Sequence, residues 1–310
     1  MRKGLFIILT TFFLFGCGPI AGDINTYDGT GLRASDVRYT KSTDSAPPYT
    51  SIDVSSSPTP NWKPALQPAD FAIDPQFSYH AVVIGINDYT RIPRLTTACS
   101  DATAVAKTLE DDYGFSVRLL LNATRADILR SLTAFRNCGP DDSVLVYYAG
   151  HGWLDSRGDE GYWLPIDSDA QDRVNWLANA TISTELRASN ARHVLVVADS
   201  CYSGKLTRGL RVVTDEPGYY EKLAQRKARV AISSGGLEPV IDSGGKDGHS
   251  VFASAFLDAL RDNPSTLDAL SLFTRIRQSV GWNADQMPEY GVIHKTGHDG
   301  GDFIFQRVRR

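Results

Sequence analysis

Short apolar runs alternate with segments of helical spacing from residue 79 to the end of the chain. Six runs are typical of strands, at residues 79–87, 116–121, 143–150, 193–200, 229–234 and 302–308. Between them, apolar residues recur at helical spacing over residues 99–112, 124–137, 181–190, 250–262 and 266–281. Since the strands are almost continuously apolar, both faces of their sheet are expected to be covered. The pattern predicts an α/β fold with a mostly parallel six-stranded sheet and helices on both faces.

The first 78 residues lack this alternation. Residues 1–17 begin with Arg2 and Lys3 and continue as an apolar run that ends at Gly16-Cys17, which is the architecture of an export signal. The run is shorter than the roughly 20 residues that a spanning helix needs. Residues 18–78 are rich in Ser, Thr, Pro, Asp and Gly, and this composition predicts a flexible tether. An arm packed on the domain around residues 71–77 is the alternative.

The end of the export signal resembles a bacterial lipobox. Residues 14–17 read LFGC, and in lipoproteins the signal is cut before such a cysteine, which is then acylated. The resemblance implies a membrane-anchored protein lipidated at Cys17, with an uncleaved anchor as the alternative. Gly18 stands where inner-membrane lipoproteins of Gram-negative bacteria commonly have aspartate. In such a host, the expected location is therefore the outer membrane, facing the periplasm.

Composition excludes one class of partner. The chain has 310 residues and a formal net charge of −4. It therefore has no broad basic surface, and nucleic acid is not expected as a ligand.

Two predicted strands end in residues that suit nucleophilic catalysis. Residues 147–152 read YYAGHG and residues 198–204 read ADSCYSG. In open α/β sheets, functional residues lie just beyond the carboxyl ends of the strands. His151 can accept the proton of the Cys201 thiol, and the thiolate is then the nucleophile. The main-chain N–H groups of Gly152 and Cys201 are the candidate oxyanion donors.

These motifs identify a family resemblance. Residues 79–308 resemble the caspase and metacaspase clan of cysteine peptidases, especially bacterial caspase-like domains, through YYAGHG and the metacaspase-type DSCYSG. HAVVIGINDY, LTTACSDATAVAKTL and HSVFASAFLDAL resemble further segments of these domains. The resemblance implies a caspase-like fold for residues 79–310 and a cysteine endopeptidase that cleaves peptide or protein substrates. It also implies a monomer, although an edge strand could pair with a second copy.

The resemblance also implies a substrate preference. Acids at the positions of Asp101 and Asp199 line the specificity pocket of metacaspase-like peptidases and select Arg or Lys. Ser233 and Ser234 end the fifth predicted strand, where related enzymes hold the substrate backbone, or they are ordinary strand-end serines. The Gln-Ala-Cys motif of animal caspases is missing, which argues against cleavage after aspartate.

Two other functions stay open at this point. A catalytically inactive caspase-like lipoprotein could bind peptides or act in assembly, but such a protein has no chemical reason to keep both His151 and Cys201. A serine hydrolase that uses Ser203 is disfavoured because no G-x-S-x-G motif surrounds that serine.

The remaining cysteines, acids and basic residues add further expectations. Without Cys17, three cysteines remain, so one thiol is unpaired in a monomer, and Cys99 and Cys138 are either two isolated thiols or a disulfide. No Cys/His spacing indicates zinc, and the chemistry needs no cofactor. Calcium is conceivable as an activator, because acids follow the histidine at Asp155, Asp159, Glu160, Asp167, Asp169 and Asp172. Residues 203–228 are rich in Lys and Arg, so they are either a solvated loop with a helix at 217–227 or a loop that the enzyme cuts in itself.

Overall fold

A computed structural model of the chain describes residues 78–200, 207–209, 219–235, 242–284 and 286–308. The predicted export signal and all but the last residue of the predicted tether lie outside these ranges, so both stay predictions. Among the helices of the described ranges, none combines the length and the apolar character needed to cross a bilayer.

The described elements follow one another in an α/β order. The strands are β1 (Tyr79–Gly85), β2 (Ser116–Leu121), β3 (Ser143–Ala149), β4 (Gly152–Asp155), β5 (Glu160–Trp163), β6 (Leu177–Ala178), β7 (His193–Asp199), β8 (Thr207–Gly209), β9 (Ala228–Ser233), β10 (Thr266–Asp268), β11 (Glu289–Ile293) and β12 (Ile304–Gln306). The helices are α1 (Ala98–Tyr113), α2 (Arg125–Ala134), α3 (Asn179–Ala188), α4 (Tyr219–Gln225), α5 (Val251–Arg261) and α6 (Ala269–Asn283).

The main sheet has the strand order β2-β1-β3-β7-β9-β11-β8. The first five strands run parallel, and β11 pairs antiparallel with both β9 and β8. This confirms the predicted fold class, a mostly parallel six-stranded core, to which the three residues of β8 add an edge.

The sixth strand of this core is not the predicted one. Residues 302–308 contain only the short strand β12, which pairs with β10 in a separate two-stranded sheet. The sheet position belongs to β11, which alternates between buried and more exposed residues and includes Gly291. An antiparallel strand near a sheet edge needs only one apolar face, so β11 lacks the continuous apolar run that marked the other strands.

Helices cover both faces of the sheet, as expected. Side chains of a strand alternate between its faces, so Tyr147 and Val197 point to one core and Tyr148 and Val196 to the other. Helices α1, α5 and α6 supply the first core, and α2 and α3 supply the second. A capping box starts α2: Thr124 accepts from the N–H of Asp127, whose side chain accepts from the N–H of Thr124.

The register between β3 and β7 is the feature of the fold that positions the site. The paired residues run from Ser143 with His193 to Ala149 with Asp199. Because the strands are parallel, the segments that follow β3 and β7 leave the sheet at the same edge and directly beside each other. The N–H of Gly150 still donates to the carbonyl of Asp199, at 3.3 Å, just beyond the last pair.

Cys99 and Cys138 are free thiols at opposite ends of β1. The Sγ atom of Cys99 lies 3.3 Å from the carbonyl of Gly85, whereas Cys138 lies beside His80. Five residues of strand, at about 3.3 Å each, separate Gly85 from His80. A disulfide needs Cα atoms within about 7 Å, so these two thiols do not pair in this fold.

Candidate active site

His151 lies two residues beyond β3 and is held by aromatic residues and main-chain groups. Its ring packs on Tyr89 with ring centroids 4.8 Å apart. Its N–H donates to the Tyr89 hydroxyl at 3.0 Å, and its carbonyl accepts from the Tyr148 hydroxyl at 2.7 Å. Both tyrosines belong to the same buried cluster, and both hydroxyls also donate to the carbonyl of Leu164, so the main chain at His151 has little freedom.

One ring nitrogen of His151 has a main-chain partner. Nε2 lies 2.8 Å from the carbonyl oxygen of Pro93. A carbonyl can only accept, so Nε2 carries the proton in the neutral ring and Nδ1 keeps its lone pair. Burial lowers the pKa of His151, which the Pro93 contact partly opposes, so the ring favours the neutral form that acts as a base.

The other catalytic candidates follow β3 and β7. Gly152, a proposed oxyanion donor, begins β4 and pairs with Trp163 of β5. Cys201 lies outside the described residues, and Ser200, directly before it, is buried at the end of β7. His151 and Cys201 are 50 residues apart, which equals the offset of every β3–β7 pair from Ser143 with His193 to Ala149 with Asp199.

The structure places Asp101 and Asp199, which we call the acidic pair, close together. Asp101 in α1 is 1% exposed and Asp199 at the end of β7 is 5% exposed. Ser250 links them: its hydroxyl donates to Oδ2 of Asp199 at 2.6 Å, and its N–H donates to Oδ2 of Asp101 at 3.3 Å. Ser250 is also the N-cap of α5, so the start of that helix fixes both acids.

Burial controls the charge of the acidic pair. Desolvation raises the pKa of Asp199 to about 7, and the hydrogen bond from Ser250 only partly opposes this. The nearby charges of Asp101 and Asp242 raise it further. Desolvation also raises the pKa of Asp101, against the hydrogen bond from His249. Two carboxylates in one buried place make each other harder to ionise.

The sequence analysis missed three residues of this site. Nδ1 of His249 lies 2.6 Å from Oδ1 of Asp101. The carboxylate of Asp242 accepts from the N–H and hydroxyl groups of Thr96 and Thr97, where α1 begins. The third is Ser250, and a serine directly before the apolar segment 251–260 is an N-cap signal that could have identified it. No local pattern relates His249 or Asp242 to α1.

Ser233 and Ser234 end β9, beside β7, and both are buried. The N–H of Ser234 donates to the carbonyl of Ala198 at 2.9 Å. Successive strand residues face opposite sides, and Ser234 is the one beside Asp199, since its hydroxyl lowers the pKa of that acid. The side chains of the two serines therefore point to different faces of the sheet.

The acids that follow His151 each have protein partners. Asp155 pairs with Arg173 at 2.6 Å, Asp169 with Arg91 at 3.3 Å, and Glu160 accepts from the N–H of Ala180 at 3.0 Å. Within the described ranges, the one group of side chains arranged like metal ligands is His80, Cys138 and Asp142, at the amino end of the sheet. That end is opposite the site, so this group takes no part in it.

Comparison with known proteins agrees with this geometry. The sequence model of the family described as "Caspase domain" matches residues 78–296. Metacaspase-1 of Saccharomyces cerevisiae, in strains YJM789 and S288c, is 25% identical over 177 residues, which cover 49% of this chain. The match spans 41% of the length of these yeast proteins.

Two solved structures share the fold. Protein GSU0716 from Geobacter sulfurreducens has a TM-score of 0.52 and 20% identity, with coverage of 72% of this chain and 97% of that protein. Caspase-1 from Spodoptera frugiperda has a TM-score of 0.50 and 15% identity, with coverage of 72% and 93%. At these identities, the likeness concerns the fold alone.

Proposed function

Because the chain belongs to the caspase-domain family, we propose that it is a cysteine endopeptidase that cleaves peptide bonds after Arg or Lys. The observation that carries the proposal is the register of β3 and β7. In parallel strands paired from Ser143 with His193 to Ala149 with Asp199, His151 and Cys201 each follow the last pair by two residues. Equal distances beyond the same edge favour a contact between the two side chains.

The proposed reaction begins with proton transfer from the Cys201 thiol to Nδ1 of His151. The thiolate attacks the scissile carbonyl carbon, and the N–H groups of Gly152 and Cys201 stabilise the oxyanion. His151 then protonates the leaving amine, and the acyl-enzyme that remains is hydrolysed by water. The Pro93 carbonyl supports this role because it holds the proton on Nε2 and leaves Nδ1 as the base.

The proposed preference for a basic residue rests on the acidic pair. Two carboxyl groups that are almost fully buried offer charge-assisted hydrogen bonds to a guanidinium or ammonium group and repel an acidic side chain. Ser233 and Ser234 would hold the substrate backbone beside them. The chemistry needs no cofactor, and calcium enters the proposal only as an activator.

The remaining parts of the proposal concern the whole protein. We propose a monomer that is anchored in a membrane through lipidated Cys17 and that acts on peptide or protein substrates. An enzyme of this specificity could also cut its own segment 203–228, which is rich in Lys and Arg.

Matched fluorogenic peptides ending in Arg, Lys or Asp test the activity. We expect the full-length chain in detergent, with and without calcium, to cleave the Arg and Lys peptides. Cys201→Ala and His151→Ala should each lower kcat/KM by at least about a thousandfold. Cys99→Ala, which removes another thiol, is the control and should keep most of the activity.

Two outcomes would change the proposal. Cleavage after Asp would keep the nucleophile and reject the basic preference. No cleavage of any peptide, with calcium and after limited proteolysis, would favour the inactive peptide-binding alternative.

A further inference from the structure

The two members of the acidic pair differ in how many of their oxygens are already engaged. Oδ1 of Asp101 accepts from His249 at 2.6 Å and Oδ2 accepts from the N–H of Ser250 at 3.3 Å. Oδ2 of Asp199 accepts from the Ser250 hydroxyl at 2.6 Å. Its other oxygen, Oδ1, is buried and makes no hydrogen bond with a residue that the structure describes, although the Ser234 hydroxyl lies close enough to lower the pKa of Asp199.

An unpaired carboxylate oxygen in a buried place is costly unless a ligand completes it. Asp199 also stands two residues before the proposed nucleophile. The charged end of a substrate side chain bound beside Cys201 could therefore donate hydrogen bonds to Oδ1 of Asp199. Each oxygen of Asp101, in contrast, already accepts a hydrogen bond from His249 or Ser250.

His249 is the residue that creates this difference. Its side chain is 14% exposed, and it lies in the loop that leads into α5, directly before Ser250. The loop is closely packed, since a side chain at Gly245 would collide with the main chain of Ser250. The imidazole is consequently held against Asp101 by the chain on both sides of it.

We infer that His249 is a specificity-determining residue, which occupies Asp101 and leaves Oδ1 of Asp199 as the anionic contact for a cationic substrate side chain. The inference rests on the proposed function, because it assigns unequal roles within the same site. Asp199 is the residue that contacts the charged group of the substrate side chain, and Asp101 is a positioning residue that holds His249 and Ser250.

The imidazole of His249 has a defined set of ionisable neighbours. Ionisable groups reach this place from α1 (Asp101 and Cys99), from β7 (Asp199), from β3 (Tyr147) and from the loop before α5 (Asp242). In the same loop, Lys246 is paired with Asp258 at 2.6 Å. His249 is thus the basic side chain that stands directly against the acidic pair, and its hydrogen bond with Asp101 lowers the pKa of that acid.

Substitution of each acid separates their roles. In peptide cleavage by the full-length chain, we expect Asp199→Asn to lower kcat/KM for the Arg peptide by about 10- to 100-fold, mainly through KM. Asp101→Asn should change it by less than about threefold, because an amide at 101 can keep its hydrogen bond with His249. Equal losses in the two variants would overturn the inference.

His249→Asn tests the role of the imidazole, which lowers the pKa of Asp101, whereas the charge of Asp101 raises the pKa of Asp199. Without the imidazole, Asp101 is harder to ionise and Asp199 easier, so the rise of KM on the acid side should begin at a lower pH than in the wild type. At pH 8.5, where Asp199 is ionised, KM for the Arg peptide should be no higher than in the wild type. A KM that rises by the same factor at every pH would show a purely structural role and overturn the inference.

A binding experiment keeps the inference testable if the chain cleaves nothing. In the Cys201→Ala protein, NMR signals of the His249 ring are followed while Nα-acetyl-arginine methylamide is added, with the glutamine analogue as control. We expect saturable shifts with the arginine probe that Asp199→Asn abolishes and Asp101→Asn retains. The absence of such shifts, or their loss in both variants, would reject the inference independently of the peptidase activity.

Discussion

At the scale of single residues, burial decides which chemical form a side chain takes. Asp199 would be an ordinary carboxylate on a surface, but at 5% exposure its pKa is raised to about 7 by desolvation. The same cause lowers the pKa of His151. Base and acid at this edge of the sheet therefore both favour their neutral forms more than free side chains do.

The raised pKa of Asp199 makes stability depend on pH. The folded protein keeps the Asp199 proton up to about pH 7, whereas the unfolded chain releases it near the ordinary value of 3.8. The stability that this proton contributes is full below the lower value and is lost as the pH rises through the higher one. In Asp199→Asn the loss is absent. Its free energy of unfolding relative to the wild type should therefore rise by roughly 2–3 kcal/mol from pH 5 to pH 8 in urea denaturation.

Asp302→Asn is the matched control for this prediction. Burial also raises the pKa of Asp302 to about 7, but that carboxylate bonds Tyr290 and the N–H groups of Leu270 and Phe303. The free energy of unfolding of Asp302→Asn, relative to the wild type, should rise with pH in the same way, and KM for the peptide should not change. A flat difference for Asp199→Asn between pH 5 and pH 8 would contradict the assigned protonation of Asp199.

The sequence predicted the residues of the proposed site but not all of their partners. Asp101 and Asp199 were predicted because they stand in recognisable motifs. His249 stayed unseen because it lies 148 residues from Asp101 and its neighbours in the chain carry no signal of that contact. A single hydrogen bond between two residues far apart in the chain produces no repeating pattern of residue types, so the sequence alone does not reveal it.

At the scale of secondary-structure elements, the proposed site lies at the ends of helices and strands. Helix α5 begins at the Ser250 cap, and the same hydroxyl that accepts from the N–H of Ala253 at 2.9 Å donates to Asp199. One residue thus ends a loop, starts a helix and holds an acid of the site.

We expect Ser250→Ala to affect both stability and activity. Loss of an N-cap side chain costs about 1 kcal/mol, and Asp199 would lose the donor to Oδ2 as well. Urea denaturation should therefore show a loss of roughly 1–3 kcal/mol, accompanied by a higher KM for the Arg peptide.

Thr124→Ala is the control variant for Ser250→Ala. It removes the N-cap of α2, on the other face of the sheet, and should cost a similar 1 kcal/mol or so with unchanged KM. Similar changes of KM in both variants would mean that Ser250 acts only through helix stability.

The strands show which elements a pattern can predict. Four of the five parallel strands, β1, β3, β7 and β9, are almost fully buried, and their continuous apolar runs, like that of the partly buried edge strand β2, were recognised with nearly correct bounds. Strand β11 was missed because its residues are only partly buried, and residues 302–308 were misassigned because Phe303 and Phe305 are core residues outside the main sheet. An apolar run indicates that a segment is buried. It does not indicate which strand that segment pairs with.

At the scale of the whole molecule, the segment between Cys201 and β9 is where self-processing would divide the chain. Lys227 accepts at its carbonyl from the N–H of Asp299 at 2.9 Å, directly before β9, and Arg208 is paired with Val292 within the sheet. Their main chains are therefore poorly placed to enter a protease site. Lys205 and Arg211 lie outside the described residues and are the better candidates for cleavage.

A denaturing gel of the purified chain, with mass spectrometry of the fragments, tests this proposal. We expect two fragments from the wild type and the intact chain of 34.0 kDa, less any removed signal, from Cys201→Ala. A Lys205→Gln, Arg211→Gln double variant should stay intact, whereas Arg226→Gln should be cut like the wild type. Active wild-type protein that migrates intact would reject self-processing.

By itself, the sequence determined the α/β class, the five parallel strands with the main helices between them, and the motifs that place a histidine and a cysteine after two strands. These are local properties, because consecutive residues determine whether a strand is buried and where the turn after it begins. The tertiary structure decided the pairing of β3 with β7, the place of β11 and the contacts of Asp101 and Asp199 with His249 and Ser250. Those depend on how distant elements pack, since only packing determines which polar groups share a buried place and which of their atoms find partners.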